Sequence, residues 1–319
     1  MNARLALNLG LIGLVGILVL LAVYEPGLDA PKKRPRLTAI EGQAVKAITV
    51  TRKDGGTIVL AKEEGRWMMR APYSVPANPG PIQSILGFLE GTSQASFPAE
   101  GHELKRFGLA EPKVRMEVDG DGFAFGDTSA MNGQRYVLYK DEVHLTMDAL
   151  YDPLLADPGD FVSPRLVEEG GELTAIQLPG ATVEHRGSGW ALRPEDASVA
   201  EEALARLAED WLSAQALAVR KRGGVASLDT ITLELKDAPP LRFEVLAREP
   251  ELVLARPERG LEYRLGSGMA ERLLRPTRTE KKDPSAGQEA RGDMAQDPPP
   301  SEPAAEPLDS AAGPESQKR

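Results

Sequence analysis

Cysteine is absent from the 319 residues. That removes a disulfide framework, zinc–thiolate sites, iron–sulfur clusters and a lipid-modified cysteine, and it leaves the redox compartment open. Histidine is nearly absent as well. His102, His144 and His185 lie far apart, and none pairs with Asp or Glu at a metal-ligand spacing, so they read as surface or strand-face residues, His144 within a strand and His185 in a hairpin turn. Basic surplus is missing too. The formal net charge is -10, against the basic surface that nucleic-acid binding requires. No phosphate-binding loop, dinucleotide fingerprint or zinc-protease helix occurs.

Two local patterns imitate sites. Asp119-Gly120-Asp121-Gly122 starts like a calcium loop but has neither the third ligand nor the closing Glu, so it reads as a hairpin turn. Gly187-Ser188-Gly189-Trp190 lacks the second Gly of a nucleophile elbow. No catalytic, cofactor or metal residue is therefore assigned, and the chain is read as a non-enzyme without cofactor.

What is present is architecture. Leu5 to Tyr24 is an uncharged run whose only polar side chain is Asn8. As a helix it is about 30 Å long, one bilayer core. It exceeds a signal-peptide apolar region, and Ala22-Val23-Tyr24-Glu25 is a poor cleavage site, so residues 1–24 are expected to be a retained transmembrane anchor. Gly10, Gly13 and Gly16 recur every third residue, a pattern that permits close helix packing and is also common in membrane helices generally. Orientation stays open. Lys32, Lys33, Arg34 and Arg36 argue for a cytoplasmic body by the positive-inside rule, but they start eight residues past Tyr24, behind Glu25 and Asp29. Residues 25–44 read as a Pro- and Lys/Arg-rich linker.

The whole chain is 41% hydrophobic and 27% charged, which is ordinary for a protein with a globular body. Its pattern is expected to be α+β: a ββ-α-ββ-ββ-α unit with antiparallel sheets, used twice, at 45–168 and 172–276. In the first copy a hairpin turns at Asp54-Gly55-Gly56, and Trp67 follows Gly65. A helix enters near Pro81 and buries Ile82, Ile85, Leu86 and Leu89. Val114, Met116 and Val118 alternate, hairpins follow to Thr146, and a short helix closes at Leu155. In the second copy Trp190 stands for Trp67 and Pro194 for Pro72. Ser198 and Glu201 form a capping box, and Leu204, Leu207, Trp211 and Ala214 make the helical seam. Ile231, Leu233 and Leu235 match the strand at 114–118, and Leu274 matches Leu155. The equivalence of Trp67 and Trp190 favours packing over ligand binding for both. Residues 277–319 have no aromatics and almost no large aliphatics, and read as a disordered acidic, Pro-rich tail.

The element order, the turn–Trp–Pro segment, the Arg106-Phe107-Gly108-Leu109-x-x-Pro112 stretch and the hairpin at Tyr136–Thr146 together resemble a bacterial family, the domain-of-unknown-function family 4340. Its Tyr/Phe-Gly-Leu-x-x-Pro motif falls on residues 106–112, and a family glycine falls on Gly126. The resemblance covers roughly residues 45–275. The second copy departs from it: Gly224-Val225-Ala226-Ser227-Leu228 has neither the aromatic nor the Pro. Family members often carry one N-terminal anchor and are encoded beside gliding-motility-type ABC exporters. The resemblance therefore implies a single-pass protein of the bacterial inner membrane with a periplasmic body, an accessory or scaffold to an ABC-type transporter permease, and no catalytic residues to carry over. The alternative is a glycan- or peptide-binding module using the cleft between the two copies.

Overall fold

The computed structural model describes residues 3–24 and 35–277. The acidic tail and residues 25–34 of the linker lie outside the described residues. The chain opens with α1 (Ala3–Tyr24), whose described apolar side chains, Leu9 to Leu20, are 52–69% exposed. Those side chains span twelve residues. Among the described residues no helix is long and apolar enough to cross a membrane.

The rest is α+β, built on two antiparallel sheets with few helices. The first half runs β1 (Ala47–Arg52), β2 (Gly56–Glu63), β3 (Arg66–Ala71), β4 (Val75–Pro76), α2 (Pro79–Leu89), β5 (Ala95–Pro98), β6 (Val114–Val118), β7 (Asp121–Thr128), β8 (Arg135–Tyr139), β9 (Glu142–Thr146) and α3 (Tyr151–Leu155). The second runs β10 (Leu173–Leu178), β11 (Ala181–Arg186), β12 (Gly189–Arg193), α4 (Glu201–Ser213), β13 (Ala218–Lys221), β14 (Asp229–Leu235), β15 (Ala238–Ala247), β16 (Leu252–Arg256), β17 (Leu261–Leu265) and α5 (Met269–Leu274). The spatial orders are β4-β3-β2-β1-β6-β7-β8-β9-β5 and β12-β11-β10-β14-β15-β16-β17-β13. Without β4, the second is the first rewritten.

Local chemistry explains the elements. Alternation buries Ile48 and Val50 of β1 on one face. Arg52, on the same face, donates to the carbonyls of Leu155 and Ala156 and so satisfies the end of α3. Asn78 caps α2, accepting from Gly80 N, and Pro79 occupies the first helical position, where a missing N–H costs nothing. The turn between β6 and β7 has Asp119 and Gly120 both at positive φ, as a two-residue hairpin demands. The Asp119 carboxylate accepts from the amides of Lys46 and Ala47. The peptide bonds before Pro72 and Pro194 are both cis.

Four details differ from the sequence reading. First, each half carries two strands more than the expected unit, one at the Trp position (β3, β12) and one after the helix (β5, β13); the first half adds the two-residue β4. Strands such as Ala95–Pro98 and Ala218–Lys221 are too short to display an alternation. Second, the capping box does not form. Ala200 is the N-cap, without a side-chain hydrogen bond, and Ser198 bonds Asp196 instead. Third, His185 lies in β11, paired with Trp190 of β12, not in a turn. Fourth, the linker reading runs into residues 35–44, which are docked: Leu37 N donates to Gly91 O and Ser93 N to Pro35 O.

The halves are joined by residues 157–166. Asn78 N donates to Phe161 O (2.8 Å), and Ser163 N to Pro76 O (2.9 Å). On the other side Ala216 N donates to Pro164 O, Leu166 N to Ala214 O, and Arg220 pairs with Asp160 at 2.7 Å. Phe161, Val162 and Leu166 are buried in this seam, and the buried side chains of both sheets form one continuous core.

Candidate functional site

The same anchoring is made twice. Arg36 bridges Thr92, and Arg165 bridges Gln215. The bonds from Leu37 to Gly91 and from Leu166 to Ala214 lie beside them. These pairs fix a common offset at the helix ends, which sets Phe88 of α2 opposite Trp211 of α4 and Gly87 opposite Asp210. Packing agrees with that correspondence. Phe88 lies 5.5 Å from Phe125, and Trp211 lies 5.5 Å from Phe243.

The two seams then diverge. In the second half Trp211 is fully buried, and its Nε1 donates to Leu273 O of α5 at 2.9 Å. Arg272 pairs with Asp210 across the same seam. In the first half Phe88 is only half-buried and has no donor to offer, and Gly87 supplies no side chain. A groove of about 510 Å³ remains between α2 and residues 146–150. Leu37, Gly87, Phe88, Thr146, Met147 and Leu150 shape it, and among the described residues none that lines it is charged.

Its wall holds an unusual group. Thr146 is 4% exposed, and its Oγ1 has no hydrogen-bond partner. Buried hydroxyls are normally paired, because an unpaired one forfeits its hydration. Nearby, on the same face of β9, His144 Nδ1 lies 3.2 Å from Ser93 Oγ. Burial lowers the His144 pKa from its ordinary value, and Glu142, with Oε2 at 3.8 Å from Nε2, opposes that shift. On the rung of Thr146, Arg135 forks onto Asp148 at 2.5 and 2.7 Å, stacks over Tyr151 at 3.5 Å and donates to Gly126 O. Hydrogen bonding from Arg135 holds the Asp148 carboxyl below its ordinary value, with Thr128 Oγ1 adding a smaller contribution.

The Phe107-Gly108-Leu109 stretch lies on the other face. Gly108 has φ +69°, and a Cβ on Gly126 would drive into Phe107 O and Leu109. The two glycines let the chain close over β7, where Leu109, Phe97, Phe107 and Tyr136 cover Ala124 and Val143. Residues 67–234 match the family model described as Domain of unknown function (DUF4340). The chain belongs to this family. The DUF4340 match starts at Trp67 in β3, crosses the connector and ends in β14, narrower than the 45–275 expected from the resemblance. No curated protein and no solved structure matches the chain.

The residues singled out in the sequence are scattered. His102 is exposed against Phe97 at 4.9 Å, and His185 is exposed against Trp190 at 5.1 Å. Trp67 and Trp190 are half-buried against the core. Among the described residues no three His, Asp or Glu side chains are grouped to hold a metal. Five grooves among the described residues are each lined by one half alone, and residues 157–166 run between the two sheets. The groove residues Gly87, Thr146 and Met147 were not singled out. The available signal was the alignment of Phe88 with Trp211, which shows an indole and its flanking acid replaced by a smaller ring and a glycine.

Proposed function

We propose that this DUF4340 protein is a single-pass, non-catalytic inner-membrane protein whose periplasmic body serves as accessory or scaffold to a membrane assembly such as an ABC-type exporter. The observation that carries the reading is α1, 22 residues of helix whose described apolar side chains are uncovered on every side. An apolar surface of that kind calls for a hydrophobic environment. The twelve-residue separation of Tyr24 from Leu37 tethers the body within about 45 Å of the end of α1. At that range a weak interface with a membrane neighbour is enough, because tethering raises the effective concentration. We further infer that the two halves are tandem copies of one unit. The shared strand order and the repeated bridges to Thr92 and Gln215 support this.

A reporter fused after Arg319 tests the topology. A periplasmic signal is expected, and a cytoplasmic signal overturns the exported body. Co-purification tests the role. A permease should accompany the full chain and be lost when Ala3–Tyr24 is exchanged for an unrelated membrane helix. If no membrane protein is retained with the natural helix, the scaffold reading fails.

A further inference from the structure

We propose that the groove between residues 167–171, the β14–β15 hairpin and the end of β16 binds a small monocarboxylate with an apolar body, held by the guanidinium groups of Arg256 and Arg259. The groove is about 340 Å³, at the small end of ligand sites. Leu235, Pro239 and Leu241 give it an apolar wall, and both arginines line it. Arg256 ends β16 on the face that buries Leu252 and Leu254, and its side chain is only 6% exposed. In the first half Tyr139 ends β8 and stacks on Phe123 as a neutral ring. The second half buries a cation there, over Phe243 at 5.4 Å. A buried cation is stable only when its donors are paired. Glu258 takes Nε, at 2.7 Å. Nη1 and Nη2 meet no acceptor among the described residues, and they are not among the atoms sealed from solvent. Because Arg256 lines the groove, their N–H groups open into it.

A second cation stands beside the first. Arg259 ends the short 3-10 helix that follows β16, hydrogen-bonds Tyr263 and meets Glu168 at 3.3 Å. Burial pushes the Arg256 guanidinium below its ordinary value, and repulsion from Arg259 adds to the shift, so the pair is short of negative charge. A carboxylate supplies two coplanar acceptors that match the fork of Nη1 and Nη2. One negative charge is the limit, because Glu168 and Glu169 line the groove, Glu258 lies against Arg256, and together they repel a dianion. The hydrocarbon body of the ligand covers the leucines and Pro239. This site stands apart from the scaffold reading, since it needs neither α1 nor a protein partner.

The test uses the full chain in lipid nanodiscs with ¹⁵N-arginine, reading the Nε–H signals as hexanoate is added at neutral pH and constant ionic strength. Arg256 should shift saturably, and Arg264, which pairs with Glu262 and does not line the groove, should stay in place. Hexanol, with the same chain and no charge, should leave Arg256 unmoved. Arg259→Gln should weaken hexanoate at least about tenfold, as the loss of a charged hydrogen bond does. Arg256→Tyr, which installs the residue found at the end of β8, should abolish binding read at Arg259. Glu258→Gln should tighten hexanoate, because it removes the carboxylate that competes for Arg256, and a purely structural arginine gives no such gain. The proposal is overturned if Arg256 shows no saturable shift, if hexanol shifts it equally, or if Glu258→Gln does not tighten hexanoate. It is also overturned if Arg256→Tyr binds as the natural protein does. Phosphate binding tighter than hexanoate makes this a polyanion site, and N-acetylvalylleucine binding tighter makes it a site for a protein C-terminus. Either result overturns the small-molecule monocarboxylate.

Discussion

The two halves share a framework and differ in what they do with its interior. The five rungs of β8–β9, from Arg135–Thr146 to Tyr139–Glu142, correspond to the five of β16–β17, from Leu252–Leu265 to Arg256–Leu261. On the first rung one half has an arginine fork and an unpaired hydroxyl, and the other has two leucines. On the third rung His144 stands where Tyr263 is. The helical seam is open in the first half and sealed by Trp211 in the second. The outer faces differ as well. Fifteen residues separate β5 from β6 and fold back over the sheet through Gly108, whereas only seven separate β13 from β14. In their place Arg222 pairs with Glu244 at 2.7 Å, and Gly223 N donates to Glu262. The same strand order thus carries a buried, hydrogen-bonded tryptophan in one half and a partly exposed phenylalanine beside buried polar groups in the other.

The largest expected effect is at the sealed seam. Trp211→Ala removes a fully buried ring and orphans the Leu273 carbonyl, and should cost about 3–5 kcal/mol. Phe88→Ala should cost less, because its ring is only partly buried and makes no hydrogen bond. Denaturant unfolding of the full chain measures both. Equal losses would mean that the two seams are equally closed, and the contrast between the halves would collapse.

The next effect is at the fold-back. Gly126→Ala forces a methyl against Phe107 O and Leu109, so it should destabilise by about 2–3 kcal/mol and expose residues 99–111 to protease. Gly223→Ala in the shorter connection meets only Glu262 Oε2 at 3.8 Å and should stay within about 0.5 kcal/mol. If Gly126→Ala is neutral, the Phe-Gly-Leu stretch is not held by close backbone approach.

Elements with strong local patterns were legible before the structure. The hairpins around Gly56 and Asp119-Gly120, the apolar stripe of Ile82, Ile85 and Leu89, and the burial of Trp211 all follow from turn chemistry and periodicity. Edge strands β5 and β13 were not legible. Four residues carry no period, and their pairing with β9 and β17 is decided by contacts about 45 residues away. The capping box failed for a local reason: Ser198 N and Oγ donate to the Asp196 carboxylate two residues back, and Ala200 becomes the N-cap. The groove was hidden because it is a difference between matched positions. Gly87 and Thr146 are ordinary residues until Asp210 and Leu265 are set beside them.

The smallest effect separates the halves by pH. His144 is pushed below its ordinary value of 6.5 by burial, with Ser93 Oγ and the Glu142 carboxylate as its polar neighbours. The folded state therefore favours neutral His144, whereas the unfolded chain protonates near pH 6.5. The stability from keeping it neutral is fully present above that pH. It declines as pH falls from 6.5 toward the depressed folded value, by at most about 1.4 kcal/mol per pH unit for one proton. Tyr263, at the corresponding rung, is pushed upward by burial and stays neutral throughout this range. Hydrogen exchange below pH 6.5, corrected for intrinsic rates, should thus lose protection on the β5–β9 amides while the β13–β17 amides hold. His144→Phe should remove the difference. Equal loss in both sheets, or a slope that survives His144→Phe, would show that the shared core transmits the titration of another group and that the halves do not respond separately.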